Sequence, residues 1–261
     1  LSAILKPTAG SAHVAGYDVA SQGREVRRRV GVLTEAPGLY LRMSGYEYLR
    51  FFGEAYGMPA AQIRAQIELL AERFKIADVL ERRLGEYSKG MAQKIALVRT
   101  LLHEPPVLLL DEPTSAMYPA SARLVRDAIL QMRASDRTII VCTHNLPEAE
   151  ELADRIAIIR RGKIVAAGTA AELKSRLLGP PLMELRLPEP IHNGIVPLVA
   201  RFAPIEAVGE TWVRYRAPEP AQVNPLLLRA LLEARIPVVT LGEVPRSLEA
   251  VYLRVVEEGA V

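Results

Sequence analysis

Two adjacent carboxylates, Asp111 and Glu112, follow directly after a run of four aliphatic residues, Val107 to Leu110. Such a run is typical of a strand that is buried on both faces of a parallel sheet. Ligands of open α/β sheets bind at the carboxyl ends of these strands. We therefore interpret Asp111 as a ligand of a hard cation such as Mg²⁺ and Glu112 as the group that orients or deprotonates an attacking water. The alternative is that Asp-Glu-Pro only caps the next helix.

A histidine and a serine–glycine pair stand at two other positions that suit anions. His144 follows Thr138 to Cys142, a second strand that we predict to be buried, and its ring can donate a hydrogen bond to a phosphate oxygen. Ser88 and Gly90 stand at the start of a predicted helix, where backbone N–H groups and the helix dipole attract anions. Taken alone, such a histidine is more often structural and such a serine is more often a simple helix cap.

Strands and helices alternate around these residues, which predicts an α/β sheet. Ser44 and Glu47 have the spacing of a capping box, so a helix should begin there. Further predicted helices follow up to about Leu102, and a hairpin is predicted at Arg161-Gly162. The other predicted elements are a strand at Val30 to Leu33, a helix at Ala120 to Met132, a helix at Pro147 to Asp154, and a helix that a second capping box opens at Thr169 and ends near Leu178.

Gly179-Pro180-Pro181 is the clearest linker signal, and the sequence pattern changes after it. Met183, Leu185 and Leu187 alternate with charged residues, as in a half-buried strand. Residues 182–261 are predicted to form a small α+β domain in the order βαββαβ. Its other predicted elements are a strand at Trp212 to Tyr215, a helix at Pro225 to Ala234, a strand at Val238 to Leu241 and a helix at Leu248 to Val256.

Composition excludes several classes of function. The 261 residues carry a formal net charge of only +3, and the one basic cluster, Arg24 to Arg29, is interpreted as a solvated helix face, so no nucleic-acid partner is expected. The single cysteine, Cys142, rules out an internal disulfide and is interpreted as a core residue. No apolar run is long enough to span a bilayer. The chain does not start with Met, and we expect it to be a fragment or a processed form.

In their order along the chain, these motifs resemble the nucleotide-binding domain of ABC transporters. The family is a P-loop NTPase type with a sheet core and a helical subdomain. The resemblance covers residues 1–178, with the helical subdomain at about 44–102 and a small C-terminal α+β accessory domain at 182–261. The matching positions are Ser88-Lys89-Gly90-Met91 for the signature motif, Asp111 for the Walker B aspartate, Glu112 for the catalytic glutamate, His144 for the switch histidine, and Val30 to Glu35 for the Q-loop region.

The resemblance implies ATP and Mg²⁺ as cofactors, with catalysis by positioning and electrostatics. Asp111 and Glu35 would serve Mg²⁺, Glu112 the attacking water, and His144 the γ-phosphate. Family members work as head-to-tail pairs, so Ser88, Lys89, Gly90 and Met91 would contact the ATP that a second, identical or different cassette holds. Transmembrane permease subunits are the other implied partners.

Three departures from the family pattern stand out. No Gly-x-x-x-x-Gly-Lys-Ser/Thr loop occurs in the chain. The resemblance places that loop just before Leu1, so the fragment alone is expected neither to bind ATP well nor to hydrolyse it. Glu35 stands where the family usually has Gln, and it can also be interpreted as a solvated loop residue. In Ser115-Ala116-Met117-Tyr118-Pro119, Tyr118 replaces the aspartate that normally crosses to the partner, which we expect to weaken communication between the ATP sites.

The leading hypothesis is an ATPase subunit at the cytoplasmic face of the membrane that powers transport, and export is favoured by the C-terminal tail and by the variants at Glu35 and Lys89-Gly90-Met91. The segment Pro37 to Leu49 would contact the permease through Tyr40, Met43, Tyr46 and Tyr48, unless these residues simply pack a helix. A non-transport ABC protein that acts on ribosomes or DNA is disfavoured because the chain has neither a second cassette nor a long charged coiled coil. The alternative is a regulatory or degenerate cassette that binds a partner.

Overall fold

The structure is a computed structural model that describes residues 1–115, 117–133, 137–192 and 194–257. Residues 256 and 257 are described by their backbone only. Ala116, in the loop that carries Tyr118, lies outside the described residues. The chain divides into two compact units, Leu1–Leu152 and Ala153–Val261, and each is described by itself. Within the described ranges, no helix is long and apolar enough to cross a membrane.

The first unit alternates strands with helices, as the sequence predicts. Its elements in chain order are β1 (His13–Val14), β2 (Tyr17–Asp18), α1 (Gly23–Arg29), β3 (Val30–Leu33), α2 (Gly45–Ala55), α3 (Ala60–Arg73), α4 (Lys89–Leu101), β4 (Val107–Asp111), α5 (Pro119–Arg133), β5 (Thr138–Cys142) and α6 (Leu146–Leu152).

A three-stranded parallel sheet with the order β3-β4-β5 forms the centre of this unit. The central strand β4 explains the aliphatic run, because both of its faces are covered. Leu108 and Leu110 are buried in the main core, while Val107 and Leu109 pack against a smaller cluster on the other face. The carboxyl ends of the three strands therefore lie at one edge, where Asp111 pairs in register with Cys142.

Helices α2, α3 and α4 pack around the main core. The capping box is confirmed: the Ser44 hydroxyl accepts the Glu47 N–H at 3.2 Å and the Glu47 carboxylate accepts the Ser44 N–H at 2.9 Å. The helical spacing of Ile63, Ile67 and Leu70 in α3 corresponds to a buried face. The capping box therefore defines the start of α2, whereas α3, which has no side-chain cap, is held by its buried apolar face.

Strand β5 corrects one sequence-based prediction. Thr138 to Cys142 do form a strand, but the expectation that it is buried is wrong, because Ile140 is 40% exposed and Cys142 is exposed. The placement of Cys142 in the core is wrong for the same reason. Among the described residues, β4 is the only strand that pairs with β5, and Ile139 and Val141 on one face contact the core. The aliphatic composition of the strand does not reveal that its other face is uncovered.

The second unit contains a hairpin, a helix and a four-stranded sheet. Its elements are β6 (Ile156–Arg160), β7 (Lys163–Gly168), α7 (Ala170–Leu178), β8 (Leu182–Arg186), α8 (Ile195–Ala200), β9 (Ile205–Val208), β10 (Trp212–Arg216), α9 (Pro220–Glu233), β11 (Thr240–Glu243) and α10 (Leu248–Glu257). Arg161 and Gly162 form the predicted hairpin turn, both with positive φ of 50° and 76°, as the right-handed twist of the strands favours.

The four-stranded sheet is antiparallel and has the order β11-β8-β10-β9. The elements from β8 to β11 follow the predicted sequence βαββαβ, and the strand order is that of the split β-α-β arrangement. Two elements differ from prediction by two residues or more: α9 begins at Pro220 rather than Pro225, and Pro220 occupies its first turn, while β11 covers Thr240–Glu243 rather than Val238 to Leu241. The four-stranded sheet begins where the linker signal Gly179-Pro180-Pro181 ends, although the compact unit already starts at Ala153.

Gly31 in β3 offers a test of the sheet packing. A Cβ at this position would meet the Thr100 carbonyl oxygen, Pro105 Cγ at 2.8 Å and Leu108 Cδ2 at 2.9 Å. Gly31→Ala should therefore lower the free energy of unfolding by about 1–3 kcal/mol, measured by urea denaturation. Gly90→Ala is the matched control, because a Cβ there meets nothing within 4 Å and alanine favours the helix. Equal stability of Gly31→Ala and the wild type would contradict the packing described here.

Candidate functional site

The carboxyl ends of β3, β4 and β5 bring several of the predicted site residues to one edge of the sheet. Asp111 is the last residue of β4, Glu112 follows it, and His144 lies two residues after β5. Glu35 lies two residues after β3; the pKa of His144 is raised mainly by Glu112 and to a lesser extent by the charge of Glu35. Parallel pairing therefore gathers these four side chains, which are separated by up to 109 positions along the chain.

Glu112 is held in a strained turn. Its φ is +49°, in the left-handed region that costs a non-glycine residue about 1–3 kcal/mol. Its backbone N–H donates to the Cys142 carbonyl oxygen at 2.9 Å, and the Gln93 side-chain amide donates to the Glu112 carbonyl oxygen at 3.2 Å. Gln93 is a buried residue of α4. Bonds to both backbone groups thus fix the direction in which the Glu112 side chain leaves the sheet.

The Glu112 carboxylate contacts His144 through one of its two oxygens. Glu112 Oε1 accepts the backbone N–H of His144 at 2.8 Å and lies 2.7 Å from His144 Nδ1. This hydrogen bond and the negative charge of Glu112 raise the pKa of His144 above its ordinary value of 6.5. The histidine side chain is 85% exposed, whereas that of Glu112 is 16% exposed. With Nδ1 committed to Glu112, the imidazole can present Nε2 to a ligand.

A further carboxylate, that of Glu148, lies beneath Glu112 and His144 and was not predicted from the sequence. Glu148 is only 2% exposed. Its Oε1 accepts the Thr114 hydroxyl at 2.6 Å and its Oε2 accepts the Thr143 hydroxyl at 3.0 Å. Thr114 follows Glu112 by two residues, and Thr143 precedes His144. The available signal was a glutamate in the first turn of α6, the helix that directly follows His144.

The predicted signature residues lie at the start of α4. Ser88 is the N-cap, and its hydroxyl accepts the Met91 N–H at 3.3 Å. Ser88 and Lys89 are exposed, and a Cβ at Gly90 would meet nothing within 4 Å. Packing among the described residues therefore does not require a glycine at this position. Among the described residues, none of these side chains hydrogen-bonds Glu112. The residue of α4 that does so is Gln93.

The surface predicted to contact a permease differs from the sequence interpretation in one residue. Tyr40 is exposed, Met43 and Tyr46 are partly buried, and Tyr48 is fully buried beneath Tyr40 with ring centroids 5.9 Å apart. Placing Tyr48 on that surface was therefore wrong, because its ring packs in the core and its hydroxyl accepts Arg99 Nη1 at 2.7 Å. Exposed apolar neighbours of Tyr40 are Leu41 and Phe51.

The acidic residues at this edge fit only a particular kind of metal site. Across the described ranges, no group of three or more His, Cys, Asp or Glu side chains is arranged to hold a metal ion by itself. Mg²⁺ is commonly held by one or two carboxylates together with waters and substrate phosphates. The exposed carboxylates of Asp111 and Glu35 suit that mode, because phosphate oxygens would complete the ligand set.

Sequence comparison connects the chain with known proteins. The ABC transporter family profile matches residues 1–115. The ABC transporter ATP-binding protein NatA of Bacillus subtilis (strain 168) is 37% identical over 174 residues, which is 66% of this chain and 71% of NatA. Daunorubicin resistance ATP-binding protein DrrA3 of Streptomyces coeruleorubidus is 37% identical, over 69% of this chain and 57% of that protein. Nod factor export ATP-binding protein I of Paraburkholderia xenovorans (strain LB400) is 32% identical, over 97% and 81%.

Two solved structures agree with the sequence matches. The structure of an ATP binding subunit of an ABC transporter superposes with a TM-score of 0.63 at 28% identity, covering 67% of this chain and 73% of the other. The dimeric post-hydrolysis state of the ATP-binding cassette MJ0796 bound to ADP and Pi gives a TM-score of 0.59 at 18% identity, covering 64% and 76%.

The parallel sheet, its helical subdomain and the acidic edge define an α/β protein of the ATP-binding cassette class. The chain belongs to the ABC transporter family, among its ATP-binding proteins. The resemblance read from the motifs and the predicted fold class are thereby confirmed.

The pair formed by Glu112 and His144 gives a direct prediction. A raised pKa means that the contact stabilises the fold fully below the unfolded pKa and that this contribution is lost as the pH rises through the folded pKa. NMR titration of the His144 ring should give a pKa above 6.5 in the wild type. In Glu112→Gln the value should fall toward 6.5, because the charge is gone. Identical titration curves in the two proteins would contradict the contact; His144→Gln assigns the signal.

Proposed function

We propose that this protein is the ATP-hydrolysing subunit of a transporter, and that it powers export through separate membrane-spanning subunits. The observation that carries the proposal is the contact between Glu112 and His144 at the carboxyl edge of the sheet, with Glu112 Oε1 on Nδ1 at 2.7 Å. A carboxylate with one oxygen engaged and one directed elsewhere suits the orientation of a water, and a histidine with a free Nε2 suits a phosphate oxygen.

Each residue at the edge would have one role in hydrolysis. Asp111 and Glu35 would hold Mg²⁺ with the phosphates, and the metal would neutralise charge on them. Glu112 would orient the attacking water through Oε2, because Oε1 is taken by His144. His144 would donate from Nε2 to the γ-phosphate. Most of the rate increase would then come from positioned charges rather than from covalent chemistry.

A second cassette would complete the ATP site. Ser88, Lys89, Gly90 and Met91 form an exposed helix start, where backbone N–H groups and the helix dipole favour an anion. In the part of the chain that the structure describes, none of these side chains hydrogen-bonds Glu112, which supports a role toward nucleotide held by another subunit, in a homodimer or a heterodimer. The absence of a Gly-x-x-x-x-Gly-Lys-Ser/Thr sequence from these 261 residues supports weak ATP binding by this chain on its own.

Export and membrane attachment are supported by the relatives and by one surface. The Nod factor export relative aligns with 97% of the chain, including the four-stranded sheet. Tyr40, Leu41 and Phe51 expose apolar side chains beside the buried Tyr48, and an aromatic surface of this kind is typical of protein interfaces. We propose this surface as the contact with the membrane subunits, which would place the protein at the cytoplasmic face of the membrane.

Replacement of Glu112 tests the proposed reaction. The full-length protein, with any residues that precede Leu1 in the gene product, should hydrolyse ATP with Mg²⁺, and Glu112→Gln should lower kcat by at least about 100-fold, or about 2.7 kcal/mol. ATP binding should persist, so the variant should accumulate as an ATP-bound dimer in size-exclusion chromatography. Glu104→Gln, an exposed carboxylate on the loop before β4, is the control. Unchanged turnover and no ATP-dependent dimer would favour the regulatory or degenerate cassette.

Tyr118 tests communication between two ATP sites. Its side chain is 85% exposed at the start of α5, where the family usually carries an aspartate. Tyr118→Asp should raise the ATPase rate about two- to tenfold, no more than about 1.4 kcal/mol of barrier. Tyr118→Phe should leave the rate unchanged. Equal rates in all three proteins would show that this position does not limit turnover.

A further inference from the structure

We propose that Glu148 is a positioning residue for the reaction at Glu112 and His144: it directs the Thr143 hydroxyl away from Glu112 and so leaves Glu112 Oε2 available to the attacking water. The inference rests on the proposed ATPase function and adds a residue outside the motifs that predicted it. Glu148 contacts none of the reacting groups itself; it acts through Thr143.

The burial of Glu148 requires an explanation. A carboxylate that is 2% exposed loses nearly all of its hydration, and this is tolerated only where hydrogen bonds replace the water. Glu148 receives two hydroxyl donors, one on each oxygen, at 2.6 Å from Thr114 and 3.0 Å from Thr143. Its backbone N–H donates to Asn145 Oδ1 at 3.2 Å. Both oxygens of the side chain and the backbone N–H of Glu148 are therefore held by hydrogen bonds.

The two donors come from the two loops that carry the reaction. Thr114 belongs to the loop after β4, two residues beyond Glu112, and Thr143 belongs to the loop after β5, directly before His144. Glu148 accordingly joins the loop that carries Glu112 to the loop that carries His144. The link is independent of the direct contact between Glu112 and His144, because it uses different oxygens and different donors.

The Thr143 hydroxyl can donate only one hydrogen. Its oxygen lies 3.0 Å from Glu148 Oε2 and 3.5 Å from Glu112 Oε2, so the shorter bond takes the hydrogen. The same oxygen accepts the Asn145 N–H at 3.0 Å, which fixes the direction of the hydroxyl. Without Glu148, the nearest charged acceptor for that hydrogen is Glu112 Oε2. One of the two lone-pair sites of Glu112 Oε2 would then be taken, which makes this oxygen a poorer acceptor for the attacking water.

A purely structural role predicts a different result. In that case Glu148 would only stabilise α6 and the two loops, and its replacement would lower the unfolding temperature and the rate together. The positioning role and the structural role can be distinguished with a variant that keeps the shape of the side chain but has one acceptor oxygen in place of two. Glu148→Gln has this property, because its amide nitrogen is a donor.

The test is steady-state ATPase kinetics on the full-length protein. Glu148→Gln should lower kcat about tenfold and leave KM for MgATP within about twofold, because positioning of the water is a transition-state effect. Thr143→Val removes the competing hydroxyl. In the Thr143→Val background, Glu148→Gln should therefore lower kcat little further, so the effects of the two substitutions should not multiply. Glu151→Gln is the matched control on the same helix, half exposed and paired with Arg126 at 3.0 Å, and its kcat should equal that of the wild type.

Several outcomes would overturn the inference. They are an unchanged kcat in Glu148→Gln, a change confined to KM, or losses from Glu148→Gln and Thr143→Val that multiply. A loss of rate that disappears when each protein is assayed well below its own unfolding temperature would also overturn it. If Glu148→Gln does not fold, Glu148→Asp replaces it, since the shorter side chain withdraws the carboxylate from the Thr143 hydroxyl; there too, an unchanged kcat would overturn the inference.

The same experiment separates this inference from the proposed function. A wild type that does not hydrolyse ATP, or hydrolysis that persists in Glu112→Gln, overturns the proposed function and the inference with it. A wild type whose activity depends on Glu112 but is indifferent to Glu148 overturns the inference alone.

Discussion

The parallel pairing of β4 with β3 on one side and β5 on the other is the constraint on which the rest of the first unit depends. It sets Glu35, Glu112 and His144 at one edge, although they come from three distant parts of the chain. The pairing requires β4 to be apolar on both faces, and the two clusters that contain its side chains supply that environment. The acidic residues can follow such a strand only because they emerge at its end, where the sheet opens to solvent.

Sequence reasoning succeeded where a local pattern has a single structural solution. The two capping boxes, at Ser44 and Thr169, define helix starts because each pairs a hydroxyl and a carboxylate with free N–H groups of the first turn. The aliphatic run before Asp111 and the Arg161-Gly162 turn are similarly unambiguous. These signals, together with the motif order, were enough to predict the fold class and most strand and helix positions.

The errors concern properties that depend on distant neighbours. The exposure of Ile140 depends on whether another element covers that face of β5, and the strand's own sequence is apolar in either case. Tyr48 packs in the main core, and Arg99, from a helix about fifty residues away, satisfies its buried hydroxyl. Glu148 was missed because a glutamate in the first turn of a helix is ordinary; its importance follows from two hydroxyls that only the folded chain places beside it.

Gln93 connects the exposed start of α4 with the turn that carries Glu112. It lies about one helical turn beyond the exposed start of α4, on a rigid element, and its amide holds the backbone of Glu112. A tilt or shift of the helix start would therefore move the donor that the Glu112 carbonyl oxygen accepts. The surface around Ser88 and the Glu112 turn are thus joined within one subunit by a single turn of helix and one hydrogen bond.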